Sequence, residues 1–177
     1  MSRPDRSARL RLCGLGLLLA ATQAARAVNV GDVAPNFQLP AIRDARTGAL
    51  TLRLADLRGK VVYLDFWASW CGPCRQSFPW MNEMQARYGG KGLEVVAVNV
   101  DVRDEDARGF LATLPAQFRV AFDAQGTTPR QYGIRGMPTS VLLGADGKVL
   151  LVQSGFRADE RAAVEASIAQ ALAQLAK

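Results

Sequence analysis

One pair of cysteines constrains this chain more than any other feature. Cys71 and Cys74 stand three positions apart in residues 65–80, DFWASWCGPCRQSFPW. The apolar run Val61–Trp67 precedes them and predicts a buried strand, and the residues after them predict a helix. A CxxC pair between a strand and a helix is typical of a redox motif.

The spacing of the two cysteines also indicates a mechanism. At the amino end of a helix, unpaired backbone N–H groups and the helix dipole stabilise an anion, which favours a thiolate at Cys71. A thiolate attacks disulfides, and a second thiol three residues on can release the mixed disulfide. We therefore expect Cys71 to be the nucleophile at an exposed helix end and Cys74 to be the resolving thiol.

A CxxC pair has two other uses, and the sequence favours neither. Structural zinc takes four ligands, whereas this chain has no histidine and only three cysteines, so a complete Cys/His site would need a second chain. A structural disulfide across three residues closes too small a loop to constrain the unfolded chain much. We predict no metal site and no cofactor beyond a redox-active Cys71–Cys74 disulfide.

The net charge of +6 is concentrated in the first 27 residues, which hold five arginines and one aspartate. The remainder contains no cluster of lysine and arginine interleaved with aromatic residues, so nucleic-acid binding is not predicted. Arginines, an apolar run over residues 12–21 and the ending Ala25-Arg26-Ala27 follow the order of a secretory signal peptide.

This leader predicts two segments, a cleavable signal peptide over residues 1–27 and one domain over 28–177. The apolar run is shorter than the roughly 20 residues of a membrane span, so we expect no stable membrane insertion after cleavage. Retention as an uncleaved membrane anchor is the alternative. Cys13, at the start of the apolar run, would be removed with the leader. Export places the remaining pair in an oxidising compartment, which we predict to be the bacterial periplasm.

Three segments resemble the thioredoxin superfamily. WCGPC is the thioredoxin active-site motif, Pro79 stands where thioredoxins carry a kinking proline, and residues 132–139, YGIRGMPT, are similar to the cis-proline segment. Residues 30–40, VGDVAPNFQLP, resemble the opening of periplasmic TlpA/ResA/DsbE-like members and of peroxiredoxins. The resemblance implies an α/β thioredoxin fold with a central mixed β-sheet flanked by helices, an N-terminal β-hairpin and a central αβ insertion at about residues 102–122.

The same resemblance implies roles for individual residues. Asp65 corresponds to the buried carboxylate that accepts the proton of the second cysteine, and burial raises a carboxyl pKa toward neutrality. Pro138 is expected to form a cis peptide bond opposite the cysteines. Trp67 and Trp70 are expected to flank and shield the pair. The residues expected to contact substrate are Trp70, Gly72, Pro73 and Met137.

Two positions depart from the family pattern. Ser77 stands where many TlpA-like proteins carry a glutamate, and Val98 aligns with the buried lysine of thioredoxin. We therefore expect proton transfer at Cys74 to differ from that in thioredoxin.

The sequence predicts an exported thiol:disulfide oxidoreductase that reduces protein disulfides, in redox homeostasis or in the maturation of cytochrome c or other metalloproteins. Gly-Pro between the cysteines resembles the reducing members of the superfamily, whereas the oxidants usually carry histidine there. The implied partners are a disulfide-containing protein substrate and a membrane-bound thiol reductant. Two alternatives stay open, a thiol peroxidase, because the opening motif is shared, and a copper-handling dithiol binding module.

Overall fold

The computed structural model describes residues 27–43 and 50–175. Within them, seven strands form one mixed sheet: β1 (Gln38–Arg43), β2 (Thr51–Arg53), β3 (Val61–Trp67), β4 (Leu93–Asn99), β5 (Arg119–Phe122), β6 (Thr139–Leu143) and β7 (Val149–Ser154). The α-helices of this part of the chain are α1 (Gly72–Tyr88), α2 (Asp104–Thr113), α3 (Thr127–Gln131) and α4 (Arg161–Leu175).

The strand order in the sheet is β2-β1-β5-β4-β3-β6-β7. β3 runs parallel to β4 and antiparallel to β6, and β4 is also parallel to β5. Strand β3 is therefore central, and its carboxyl end leads directly to the cysteines. A mixed sheet flanked by helices confirms the predicted fold class.

The two additions to the minimal fold are both present. β1 and β2 form the expected N-terminal antiparallel hairpin, and β5 inserts between β1 and β4. Helix α2 and β5 fold from residues 104–122, within the predicted insertion. Asp104 is the first residue of α2 and accepts a hydrogen bond from Arg108, whereas Arg103 occupies the N-cap position.

Alternation along β3 divides the core into two layers. Tyr63 and Trp67 face the cluster that contains both cysteines and apolar residues of α1, α2 and α4. Leu64 and Phe66 face the opposite cluster, which includes Tyr132 and the N-terminal segment. Because successive side chains on a strand point to opposite faces, Asp65 lies on the same face as Tyr63 and Trp67.

The predicted leader lies outside the described residues except for Ala27. Across 27–43 and 50–175, we find no helix that is both long enough and apolar enough to cross a bilayer.

Candidate active site

The two cysteines lie at the start of α1. Cys71 is the N-cap residue, and Pro73 falls in the first turn, where a proline removes only a backbone N–H that has no helical partner. The sulfurs form a disulfide with a Cα–Cα distance of 5.3 Å. The backbone N–H of Cys74 donates to Cys71 Sγ at 3.2 Å, so this sulfur accepts a hydrogen bond from the helix end. The geometry places a polarisable acceptor atom where a helix favours negative charge.

The pair is less exposed than the sequence predicts. Cys74 is fully buried, and only 4% of Cys71 is exposed. The expectation that Cys71 lies at an exposed helix end is therefore wrong. Bonding to Cys74 turns Cys71 Sγ toward the helix, and both residues belong to the apolar cluster on that face. Gly72 and Pro73 are exposed between them. Of the two cysteines, Cys71 is the one that keeps some contact with solvent.

The two tryptophans beside the motif differ in their surroundings. Trp67 is fully buried and packs against Phe78 and Phe110, with ring centroids 4.8 and 4.7 Å away. Trp70 is 73% exposed. The expectation that Trp70 shields the pair is therefore wrong, since most of its side chain is open to solvent. An exposed tryptophan next to a reactive pair offers apolar surface to a partner.

A buried carboxylate fixes the loop that carries Trp70. Asp101 accepts hydrogen bonds from the backbone N–H of Ser69 at 3.0 Å, from its hydroxyl at 3.1 Å and from Asn99 Nδ2 at 2.8 Å. Sequence reasoning missed this group. The signal was available, because Asn99 and Asp101 lie at the end of the largely apolar run of residues 93–100, and the carboxyl ends of neighbouring parallel strands meet at one edge of a sheet.

Asp65 is another buried carboxylate, on the face of β3 that packs against the cluster containing both cysteines. It is 1% exposed, and Ser140 Oγ donates a hydrogen bond of 2.7 Å to its Oδ1. Burial raises the pKa of Asp65 to about 7, although the Ser140 hydrogen bond acts in the opposite direction. The pKa of Tyr63, on the same face, is raised by burial and by the Asp65 charge. A carboxyl group that titrates near neutrality can exchange protons with a thiol.

The residue beside Asp65 on β4 is not Val98, the residue expected from the resemblance to thioredoxin. Asp65 pairs with Ala97, and Val98 pairs with Phe66 in the opposite layer. The assignment of the thioredoxin lysine position to Val98 is therefore wrong by one residue, because register partners in a parallel pair share a face. The side chain next to Asp65 on β4 is a methyl group. Neither position carries a charge.

The proline segment precedes β6, the antiparallel neighbour of β3. The Met137–Pro138 peptide bond is cis, and Pro138 is buried. Met137 is partly exposed and packs against the cluster that contains both cysteines. Ser77, at the position of the family glutamate, is buried and donates to the carbonyl oxygen of Cys74 at 3.0 Å. It therefore brings no carboxylate to the pair.

The described residues contain no group of three or more His, Cys, Asp or Glu side chains arranged to hold a metal ion. The chemistry assembled at the end of β3 consists of a disulfide, a buried carboxyl group with a hydroxyl partner, and an exposed indole. These groups suit thiol–disulfide exchange.

Comparison with known proteins agrees with this geometry. Residues 29–172 match the Redoxin family. The chain belongs to the Redoxin family. It is 34% identical over 134 residues to the thiol-disulfide oxidoreductase ResA of Bacillus thuringiensis, covering 76% of this chain and 75% of the relative. For ResA of Bacillus subtilis, the identity is 32% over 146 residues, covering 81% and 79%.

A solved structure is also similar. The crystal structure of a protein from Chlorobium tepidum, described as a thiol:disulfide interchange protein DsbE, is 57% identical and superposes with a TM-score of 0.77. The match covers 82% of this chain and 99% of that one. The predicted relationship to the ResA- and DsbE-like members of the thioredoxin superfamily is confirmed, and so is the prediction of a thiol:disulfide oxidoreductase.

Proposed function

We propose that this Redoxin-family protein reduces disulfide bonds of exported proteins through Cys71 and Cys74. The observation that carries the proposal is the asymmetry of the pair. Cys71 is the N-cap of α1 and keeps some exposure, whereas Cys74 is fully buried on the face of β3 that carries Asp65. An attacking thiol must reach the substrate, and a resolving thiol must reach only its neighbour and a proton acceptor.

The reaction has two exchange steps. In the reduced enzyme, the Cys71 thiolate attacks one sulfur of a substrate disulfide, and the other substrate sulfur leaves as a thiolate that takes a proton from solvent. Cys74 then loses its proton to Asp65, and its thiolate attacks the Cys71 sulfur. The second substrate sulfur leaves with the electron pair and is protonated. The enzyme ends with the disulfide seen here, and the substrate gains two thiols.

The residues between the cysteines, Gly72 and Pro73, support the proposed direction of electron flow. They are the residues found in thioredoxin, whose potential is about −270 mV, against about −120 mV for the oxidant DsbA. This difference of about 150 mV corresponds to roughly 7 kcal/mol for two electrons, so one protein does not serve both roles. We assign this chain to the reducing end, with a membrane-bound thiol reductant as its electron donor and no resident cofactor.

We also propose that substrates contact the surface around Cys71. Trp70, Gly72 and Pro73 are exposed beside it, and Met137 is partly exposed on the cis-proline segment. The proposed site of action is the periplasm, reached by the leader over residues 1–27. Its cleavage after Ala27 is tested by amino-terminal sequencing of the protein recovered from the periplasm of an expressing bacterium, where Val28 should be the first residue.

The reduction potential of the Cys71–Cys74 pair tests the proposed direction. The protein is equilibrated with defined ratios of reduced and oxidised dithiothreitol, and the free thiols are alkylated and counted by mass spectrometry. We expect a potential near that of thioredoxin, about −270 mV. A value more oxidising than about −180 mV would overturn the reductase assignment. Two further assays test the alternatives. Rapid oxidation of Cys71 by added peroxide would favour a thiol peroxidase. Stoichiometric binding of Cu(I) without insulin reduction would favour a copper-handling dithiol module.

A further inference from the structure

The buried carboxyl group of Asp65 has a hydrogen-bond partner that comes from the strand following the cis-proline. Ser140 lies two residues after Pro138 and pairs directly with Asp65 across β3 and β6. Its Oγ is 2.7 Å from Asp65 Oδ1, and only 4% of Ser140 is exposed. A buried polar side chain without a partner is costly, so these two groups stabilise each other in the core.

The two oxygens of the carboxyl group are not equivalent. Oδ1 accepts the Ser140 hydroxyl, whereas Oδ2 is buried and has no hydrogen-bond partner among the described residues. A buried carboxylate oxygen without a donor is the more basic of the pair, because no hydrogen bond stabilises negative charge on it. The unpartnered oxygen is therefore the better proton acceptor.

The groups that surround Asp65 and Ser140 come from β3, β4, β7, α1 and α4. Tyr63 on β3 also forms a hydrogen bond with Ser140, and it stays a neutral phenol because burial and the Asp65 charge raise its pKa more than this hydrogen bond lowers it. The cysteines come from α1, Ala97 from β4, and apolar residues from α4. On β7, Gln153 pairs with Ser140 and donates to Glu160 at 2.6 Å, which in turn is paired with Arg157.

We propose that Ser140 is a positioning residue for Asp65, holding Oδ1 so that Oδ2 receives the proton of Cys74. The inference rests on the proposed function. In the resolving step, the Cys74 thiol gives its proton to Oδ2, and the Cys74 thiolate displaces the substrate sulfur from Cys71. The hydroxyl of Ser140 stabilises the ionised carboxylate before the transfer. Ser140 thus couples the cis-proline strand to the proton acceptor without touching substrate.

The test is a titration of the Asp65 carboxyl carbon by ¹³C NMR in the oxidised protein, comparing the wild type with Ser140→Ala. Loss of a hydrogen bond to the charged form should raise the pKa of Asp65 by roughly one unit. Ser140→Thr keeps the hydroxyl and should retain the wild-type titration. Ser167→Ala, which removes a half-buried hydroxyl of α4 that donates to the carbonyl oxygen of Ala163, is the matched control and should leave the titration unchanged.

A double-mutant cycle of Ser140→Ala and Asp65→Asn, measured by kinetics, distinguishes a positioning role of Ser140 from a structural one. Single-turnover oxidation of the reduced protein by insulin is followed by tryptophan fluorescence between pH 5 and 9. Ser140→Ala should raise the pH midpoint of the oxidation rate by roughly one unit. In the Asp65→Asn background, Ser140→Ala should leave the pH dependence of the rate unchanged. An unmoved Asp65 titration in Ser140→Ala, or equal effects in both backgrounds, would overturn the role of Ser140.

The outcomes for the two proposals are distinct. Failure of the wild type to reduce insulin at any pH would overturn the proposed function, and the NMR titration would still report on the contact between Ser140 and Asp65. A wild type that reduces insulin, together with an unchanged Ser140→Ala titration, would overturn only the positioning role.

Discussion

The most informative perturbation is Asp65→Asn, because the buried carboxyl group should make stability depend on pH. Its pKa is raised from 3.8 to about 7 by burial. Between these values the folded protein keeps a proton that the unfolded chain releases, so stability falls as the pH rises. A shift of about three units at about 1.4 kcal/mol per unit amounts to about 4 kcal/mol. The full penalty should be present above pH 7 and absent below about pH 4.

Asparagine has nearly the same shape but does not ionise, so the variant lacks this penalty. We expect the free energy of unfolding of Asp65→Asn relative to the wild type to increase by about 4 kcal/mol between pH 4 and pH 8. Urea unfolding of the oxidised proteins at pH 4, 6 and 8 measures it, and the other titrating groups cancel in the difference. Asp159→Asn, which removes an exposed carboxylate, controls for the change in net charge. A difference that stays constant with pH would refute the reasoning.

Three further substitutions distinguish residues that act in substrate reduction from residues that stabilise the fold. Trp70→Ala should change the free energy of unfolding by less than about 0.5 kcal/mol, because the side chain is exposed, but should raise the KM for insulin reduction. Asp101→Ala releases the loop before Cys71 and should cost about 3 kcal/mol in urea unfolding while slowing insulin reduction. Unchanged kinetics would contradict that account of the loop. Glu94→Ala leaves Lys60 and Arg119 without this buried partner and should cost about 3 kcal/mol, while the reduction potential of the cysteine pair stays the same.

The sequence was sufficient to predict the elements around the cysteines. Val61–Trp67 is an apolar run of strand length and forms β3, and the helix expected after the cysteines is α1, which ends at Tyr88, just before the glycines at 89 and 90. Strong local signals of this kind determine where elements begin and end.

Strand register could not be predicted in the same way. A shift of one residue moves every side chain to the other face, and this error placed Val98 beside Asp65 instead of Ala97. The partnership with Ser140 depends on the same information, because it follows from the pairing of β3 with β6. The available signal was the two hydroxyl residues that begin the otherwise apolar β6, Thr139 and Ser140, since a buried hydroxyl needs a partner.

The burial of individual site residues also depends on tertiary packing, which the local sequence pattern does not predict. Cys71 was expected at an exposed helix end, yet its sulfur is turned inward by the bond to Cys74. Trp67 and Trp70 are three residues apart in one motif, and one is fully buried while the other is 73% exposed. The difference arises because Trp67 ends a central strand, whereas Trp70 lies in the loop held by Asp101.

The central claim is that Cys71 attacks and Cys74 resolves, and trapping of the mixed disulfide tests it most directly. Reduced Cys74→Ser and reduced Cys71→Ser are each mixed with a disulfide-containing protein, quenched with acid and analysed by peptide mass spectrometry. We predict a stable adduct through Cys71 in Cys74→Ser and none in Cys71→Ser. An adduct through Cys74 that forms as fast in Cys71→Ser would contradict the account.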